Sequence, residues 1–106
     1  MDIQKREDGK ILIRYKDNLI DNKALELRNE LVELLSEPEE KFEFQFDLDE
    51  VFNIDAVAVS TLIALYNSIK ENKGKVELIN TSEEIYKLFN NLKIDEILNV
   101  SKKTIN

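Results

Sequence analysis

Phe42-Glu43-Phe44-Gln45-Phe46-Asp47-Leu48 alternates apolar with polar residues, and after Asp49-Glu50-Val51-Phe52-Asn53-Ile54-Asp55 the period changes in Ala56-Val57-Ala58-Val59-Ser60-Thr61-Leu62. The first segment puts three Phe and a Leu on one side, the pattern of a strand with one dry and one wet face. The last opens an unbroken run to about Asn72 in which Val59, Leu62, Ile63, Tyr66 and Ile69 recur at three- and four-residue spacing, so it reads as a long helix with one core stripe. Asp55 stands where a side chain would cap the first turn, and Gly74 lies just beyond the last.

On the C-terminal side, Val76, Leu78 and Ile79 within Lys75 to Asn80 read as a short strand. Thr81-Ser82-Glu83-Glu84 follows, with Thr81 and Glu84 spaced as a capping box for a helix that carries Ile85, Leu88, Phe89 and Leu92. Ile94, Ile97, Leu98 and Val100 lead to a last short element, and Ser101-Lys102-Lys103-Thr104 reads as a polar tail. On the N-terminal side, Ile11, Ile13 and Tyr15 alternate with Leu12, Arg14 and Lys16, while Asp8-Gly9 predicts a turn that pairs Asp2 to Arg6 with them as a hairpin. Asp21-Asn22 starts a helix whose stripe is Ala24, Leu27, Leu31, Leu34 and Leu35, and Glu37-Pro38 ends it. The order ββαβαβα with a short tail predicts a single α/β domain over residues 1–106. Strand–helix–strand crossovers make its sheet mixed, with four to five strands and helices mainly on one face.

Composition narrows the chemistry. The 106 residues contain no Cys and no His, which removes disulfides, zinc–thiolate and iron–sulfur centres, thiol nucleophiles and the commonest general base. A net charge of -7 opposes attraction to phosphate backbones and anionic membranes, so nucleic acid is not an expected partner. The opening MDIQKREDGK lacks a signal-peptide apolar run and no stretch approaches the roughly 20 apolar residues of a membrane span, so a cytoplasmic location without membrane insertion is expected. Ser36, Ser60, Ser68, Ser82 and Ser101 have no histidine to activate them, and Gly9 and Gly74 cannot build a phosphate cradle. Asp47, Asp49, Glu50 and Asp55 crowd the end of a strand, where a magnesium site is one reading. The stronger reading is surface charge plus a helix cap, because no phosphate-binding loop accompanies them. A non-enzymatic protein with no cofactor and no metal is expected.

The long helix carries a second stripe, Val57, Thr61, Ala64 and Ser68, with Ser60 beside it, and none of these is charged in a chain that is 35% charged. Two readings stand side by side: a docking surface, or a face covered by loops or a neighbouring helix.

Taken together, the pattern resembles the STAS domain, the fold of bacterial anti-sigma factor antagonists and of sulfate-transporter tails. Asp55-Ala56-Val57-Ala58-Val59-Ser60 is similar to the family's Asp-Ser-Ser-Gly-Leu-Gly turn between strand and helix. Leu19-Ile20-Asp21 resembles the entry to the family's first helix, and Leu88-Phe89 with Ile94-Asp95-Glu96-Ile97-Leu98-Asn99-Val100 resembles its C-terminal Leu-Asp-x-Ile-Phe-x-Val. The likeness covers nearly the whole chain, although the tail after Val100 is shorter than the family's usual last helix. In partner-switching members the second Ser of the turn accepts phosphate from an anti-sigma factor kinase, which changes the partner bound. Ala56 and Val57 occupy the two Ser positions here, so the resemblance implies a module fixed in an unphosphorylated-like state.

The implied interaction surface is Asp55, Ala56, Val57, Ala58, Ser60, Thr61 and Ala64, and the implied partner is an anti-sigma factor kinase-like or related regulatory protein, bound by a monomer or weak dimer. An accessory subunit of a membrane transport or lipid-trafficking complex is the alternative. Ser60 stands where the family has a glycine, one turn inside the helix where backbone N–H groups are already bonded. It is therefore read as permitting close approach rather than as a displaced phosphosite.

Overall fold

In the computed structural model, which describes residues 2–6, 8–35, 43–71 and 74–103, the chain forms a five-stranded mixed sheet and three helices. β1 (Asp2–Lys5) and β2 (Lys10–Arg14) make the expected hairpin, with Gly9 at φ 85, a backbone conformation in the turn that glycine adopts without a Cβ penalty. There follow α1 (Lys23–Leu35), β3 (Glu43–Asp47), α2 (Ala56–Glu71), β4 (Lys75–Thr81), α3 (Glu83–Asn91), a 3-10 turn at Ile94–Glu96 and β5 (Asn99–Lys102). Strand order is β1-β2-β3-β4-β5, antiparallel only between the first two. The Glu37–Pro38 stop and Phe42 lie outside the described residues.

Register makes the dry face. Ile11, Phe44 and Val76 form one cross-strand row, and Ile13, Phe46 and Leu78 form the next, with Val100 of β5 beside Leu78. Ala24, Leu27 and Leu31 of α1, Ala58, Leu62, Leu65 and Ile69 of α2, and Ile85 and Phe89 of α3 join these rows in one continuous core. At about 25 cal/mol per Å² of apolar area removed from water, a core of this kind is the main force that holds helices to a sheet. Behind it, Leu12, Gln45 and Glu77 form the opposite row, in which Leu12 is nonetheless buried.

Four expectations need correction. The buried arc of α2 is Ala58, Thr61, Leu62, Leu65 and Ile69, whereas Val59, Ile63 and Tyr66 pack only at its edge. A helix that is apolar most of the way round does not reveal its own orientation, and contacts with both α1 and β4 widen and turn its buried side. Asp47, read as part of the wet face, is only 6% exposed, because Arg14 and Asn80 close over it. The cap of α3 is Ser82, whose Oγ accepts the Ile85 N–H at 3.2 Å; Thr81 instead ends β4 and donates its buried hydroxyl to the Ser101 carbonyl at 3.0 Å. Finally, the last short element is β5, paired with β4, and it takes in Ser101 and Lys102, which therefore belong to a strand rather than to a polar tail.

Candidate functional site

The start of α2 is built by two loops that grip each other. Asn18, in the β2–α1 loop, uses Oδ1 to accept the backbone N–H groups of Phe52 at 3.0 Å and Asn53 at 3.1 Å. Leu19 then donates its N–H to the Asn53 carbonyl, and Asp55 donates its N–H to the Leu19 carbonyl, a short parallel bridge between Leu19 and Ile54. Asp55 closes the arrangement with both carboxylate oxygens. Oδ1 accepts the Ala58 N–H at 2.9 Å, the capping bond expected from the sequence, and Oδ2 accepts the Asp21 N–H at 2.8 Å. Asp21 takes φ 55, a left-handed conformation that short polar side chains tolerate better than bulky ones. A carboxylate with two backbone donors beside a helix N-terminus is well placed electrostatically.

On this platform the anticipated surface divides. Ala56, Val57, Ser60 and Ala64 are exposed, Val57 by 50%, and with Thr61 and Arg28 of α1 they line an open depression of about 390 Å³ between the two helices. Ala58 does not belong to it. At 1% exposure it is a core residue, since it precedes Leu62 by four residues and Leu65 by seven and so shares the face they bury. Thr61 is also largely buried, and its hydroxyl donates to the Val57 carbonyl at 2.8 Å, a local bond that satisfies it within the helix. Among the described residues neither loops nor α1 cover the stripe at Val57, Ser60 and Ala64, all three of which are exposed. Phe52, 59% exposed in the loop before α2, and Ile20, exposed in the facing loop, add apolar surface that helical periodicity had no means to indicate.

The carboxylates grouped by sequence go to separate tasks. Asp47 accepts from Arg14 Nε at 3.3 Å, from Asn80 Nδ2 at 3.1 Å and from the Asp49 N–H at 3.0 Å. Asp49 pairs with Lys103 at 2.6 Å, and the hydrogen bond and charge of that carboxylate hold the Lys103 ammonium above its usual pKa. Asp55 serves the helix cap. Among the described residues no three such ligands converge as a metal ion would need.

The family model of the STAS domain matches residues 2–105. The chain belongs to the STAS domain family. Its five-stranded sheet and three helices superpose on a candidate anti-sigma factor antagonist from Thermotoga maritima with a TM-score of 0.85 and 17% identity, covering 98% of this chain and 86% of that one. The murine solute carrier 26 family member A9 anion transporter in its inward-facing state contains a similar fold: TM-score 0.76, 15% identity, 91% of this STAS domain and 16% of the transporter. The anti-sigma factor antagonist SpoIIAA in its unphosphorylated form gives a TM-score of 0.69 at 13% identity, covering 91% of this chain and 96% of that one. At the sequence level, comparison with curated proteins finds no match. These identities establish a common fold. What the STAS domain does at the start of α2 has to come from its own residues.

Proposed function

We propose that this STAS domain is a non-enzymatic interaction module of the cytoplasm that binds a regulatory protein through the exposed start of α2, after the manner of an anti-sigma factor antagonist. It does so without a phosphorylation step at the family position. One observation carries the reading: Val57, in the place of the phosphoacceptor, presents an aliphatic side chain to solvent on a helix end that Asp55 and Asn18 hold rigidly. An aliphatic group there keeps apolar contact available to a partner and offers no oxygen for phosphate. In partner-switching relatives, by contrast, phosphate adds a charge of about −1.5 to −2 next to the helix-capping carboxylate, repelling what docks there. Thr61 cannot take over, because its hydroxyl is turned to the Val57 carbonyl and mostly buried.

The test is affinity capture from the native host with the wild-type chain and with Val57→Glu, both read by quantitative mass spectrometry alongside their melting temperatures. The expected result is a regulatory protein retained by the wild type and lost from Val57→Glu at unchanged Tm. Retention of the same proteins by both would remove this surface from consideration, and enrichment of transporter subunits would favour the role of an accessory subunit in a membrane complex. Intact-mass measurement of the chain from that host should show no phosphate; one mapped to Ser60 would restore a switch one turn further along α2.

A further inference from the structure

Among the described residues, the depression between α1 and α2 has one charged lining residue, and it is positive. Arg28 stands among Ala56, Val57, Ser60, Thr61 and Ala64, in a chain whose net charge is -7. On α1 the positions three and four residues away on either side of Arg28 are Ala24, Leu25, Leu31 and Val32, so the helix gives it no acidic neighbour at pairing distance. Lys23 shows the contrast, bracketed by Asp17 at 3.7 Å and Glu26 at 3.8 Å. Among the described residues Arg28 has no ion-pair partner. Its flanks are apolar and open to solvent, with Leu25 46% and Val32 51% exposed one turn to either side. A guanidinium without an ion-pair partner, set among aliphatic side chains left in water, is open to a partner's carboxylate, which its planar fork takes in bidentate fashion, and Arg is enriched at interfaces.

We propose that Arg28 is the charge-reading residue of this docking surface: the partner is a protein segment that places a carboxylate side chain on Arg28 and an apolar side chain, about one turn away, against Val57. This rests on the docking role proposed above and adds to it the chemistry of what docks. A second copy of the chain is the poorer occupant. In a two-fold pairing the same face meets itself, and a lining with no carboxylate would leave two guanidinium groups facing each other unpaired. An acidic partner also meets long-range repulsion from the net negative charge, so the recognition acts at contact, in the groove, rather than by steering.

The probe is a displayed library of random peptides selected in parallel on the wild type, Arg28→Gln, Arg28→Glu and Val57→Glu, with Tm recorded for each variant. Peptides selected on the wild type should carry Asp or Glu one turn from an apolar residue. They should bind Arg28→Gln about tenfold more weakly, the loss expected for one charge-assisted contact. Arg28→Glu should select Lys or Arg instead. Wild-type peptides without acidic preference, or unchanged binding to both Arg28 variants, overturn the inference while the docking role stands, provided Val57→Glu loses those peptides. Peptides equally bound by Val57→Glu, or no selection at all, overturn both. Sedimentation that shows a wild-type dimer lost in Val57→Glu would make a second copy the occupant, and so also refute the acidic partner.

Discussion

Asp55 carries more of the site than its place in a helix-capping pattern implies. One oxygen caps α2 through Ala58, and the other fastens the backbone of Asp21, so a single carboxylate sets both the helix end and the loop beside it. Replacing Asp55 by Ala should cost about 1–2 kcal/mol, a helix cap together with a second charge-assisted hydrogen bond. In a domain of this size each kcal/mol corresponds to about 4–8 °C in Tm. Asp55→Asn, which keeps an acceptor for the Ala58 N–H, should lose less. Thermal and urea unfolding of the two variants measures this, and an Asp55→Ala protein as stable as the wild type would show that the platform does not depend on the carboxylate. The cap was legible because it acts over three residues. The Asn18 clamp was not, since its two donors lie 34 and 35 positions away and nothing local distinguishes Asn18 from any other loop asparagine.

At the scale of elements, the sequence announced what is periodic and concealed what is settled by neighbours. β3 and the rows it joins were readable from Phe44, Phe46 and Leu48, because one covered face imposes alternation. β5 was legible only as a short element around Val100: as an edge strand it sends that one residue toward the core, which leaves Ser101 and Lys102 looking like a polar tail. The β4–α3 junction makes the same point with adjacent hydroxyls. Both Thr81 and Ser82 can cap in principle, and β4 claims Thr81 because its hydroxyl reaches the Ser101 carbonyl across the sheet edge. The two positions should therefore fail differently. Ser82→Ala should cost about 1 kcal/mol and increase hydrogen exchange in the first turn of α3. Thr81→Val, which fills the same volume but removes the hydroxyl bond to the Ser101 carbonyl, should instead release protection at Ser101 to Lys103. Increased exchange at the start of α3 from Thr81→Val alone would return the cap to Thr81.

For the whole molecule, a net charge of -7 sits over a core in which, among the described residues, two ionisable side chains are buried, Asp47 at the end of β3 and Tyr15 just after β2. Its phenol is largely buried and donates to the Lys23 carbonyl at 3.4 Å, and its pKa is pushed above the usual 10.0, chiefly by desolvation and then by the charges of Glu26, Asp17 and Glu30. A raised pKa in the folded state means that the native protein holds this proton more tightly than the unfolded chain does. The resulting stability is therefore complete below about pH 10 and is lost as pH rises through the folded-state value, because only the unfolded chain ionises freely over that interval. Stability from urea titrations between pH 8 and 11 should fall on the alkaline side for the wild type and fall less steeply for Tyr15→Phe. That difference isolates Tyr15 from Lys103, whose ammonium is held above its usual pKa by Asp49, and from the repulsion that grows as the net charge becomes more negative. Added salt screens the acidic surface and weakens the exposed Lys16–Asp2 and Lys103–Asp49 pairs, yet it leaves desolvation in place. The wild-type minus Tyr15→Phe difference should accordingly persist in salt. Its disappearance would assign the effect to Glu26, Asp17 and Glu30, and parallel pH profiles for the two proteins at every salt concentration would mean that burial of Tyr15 does not couple its ionisation to folding.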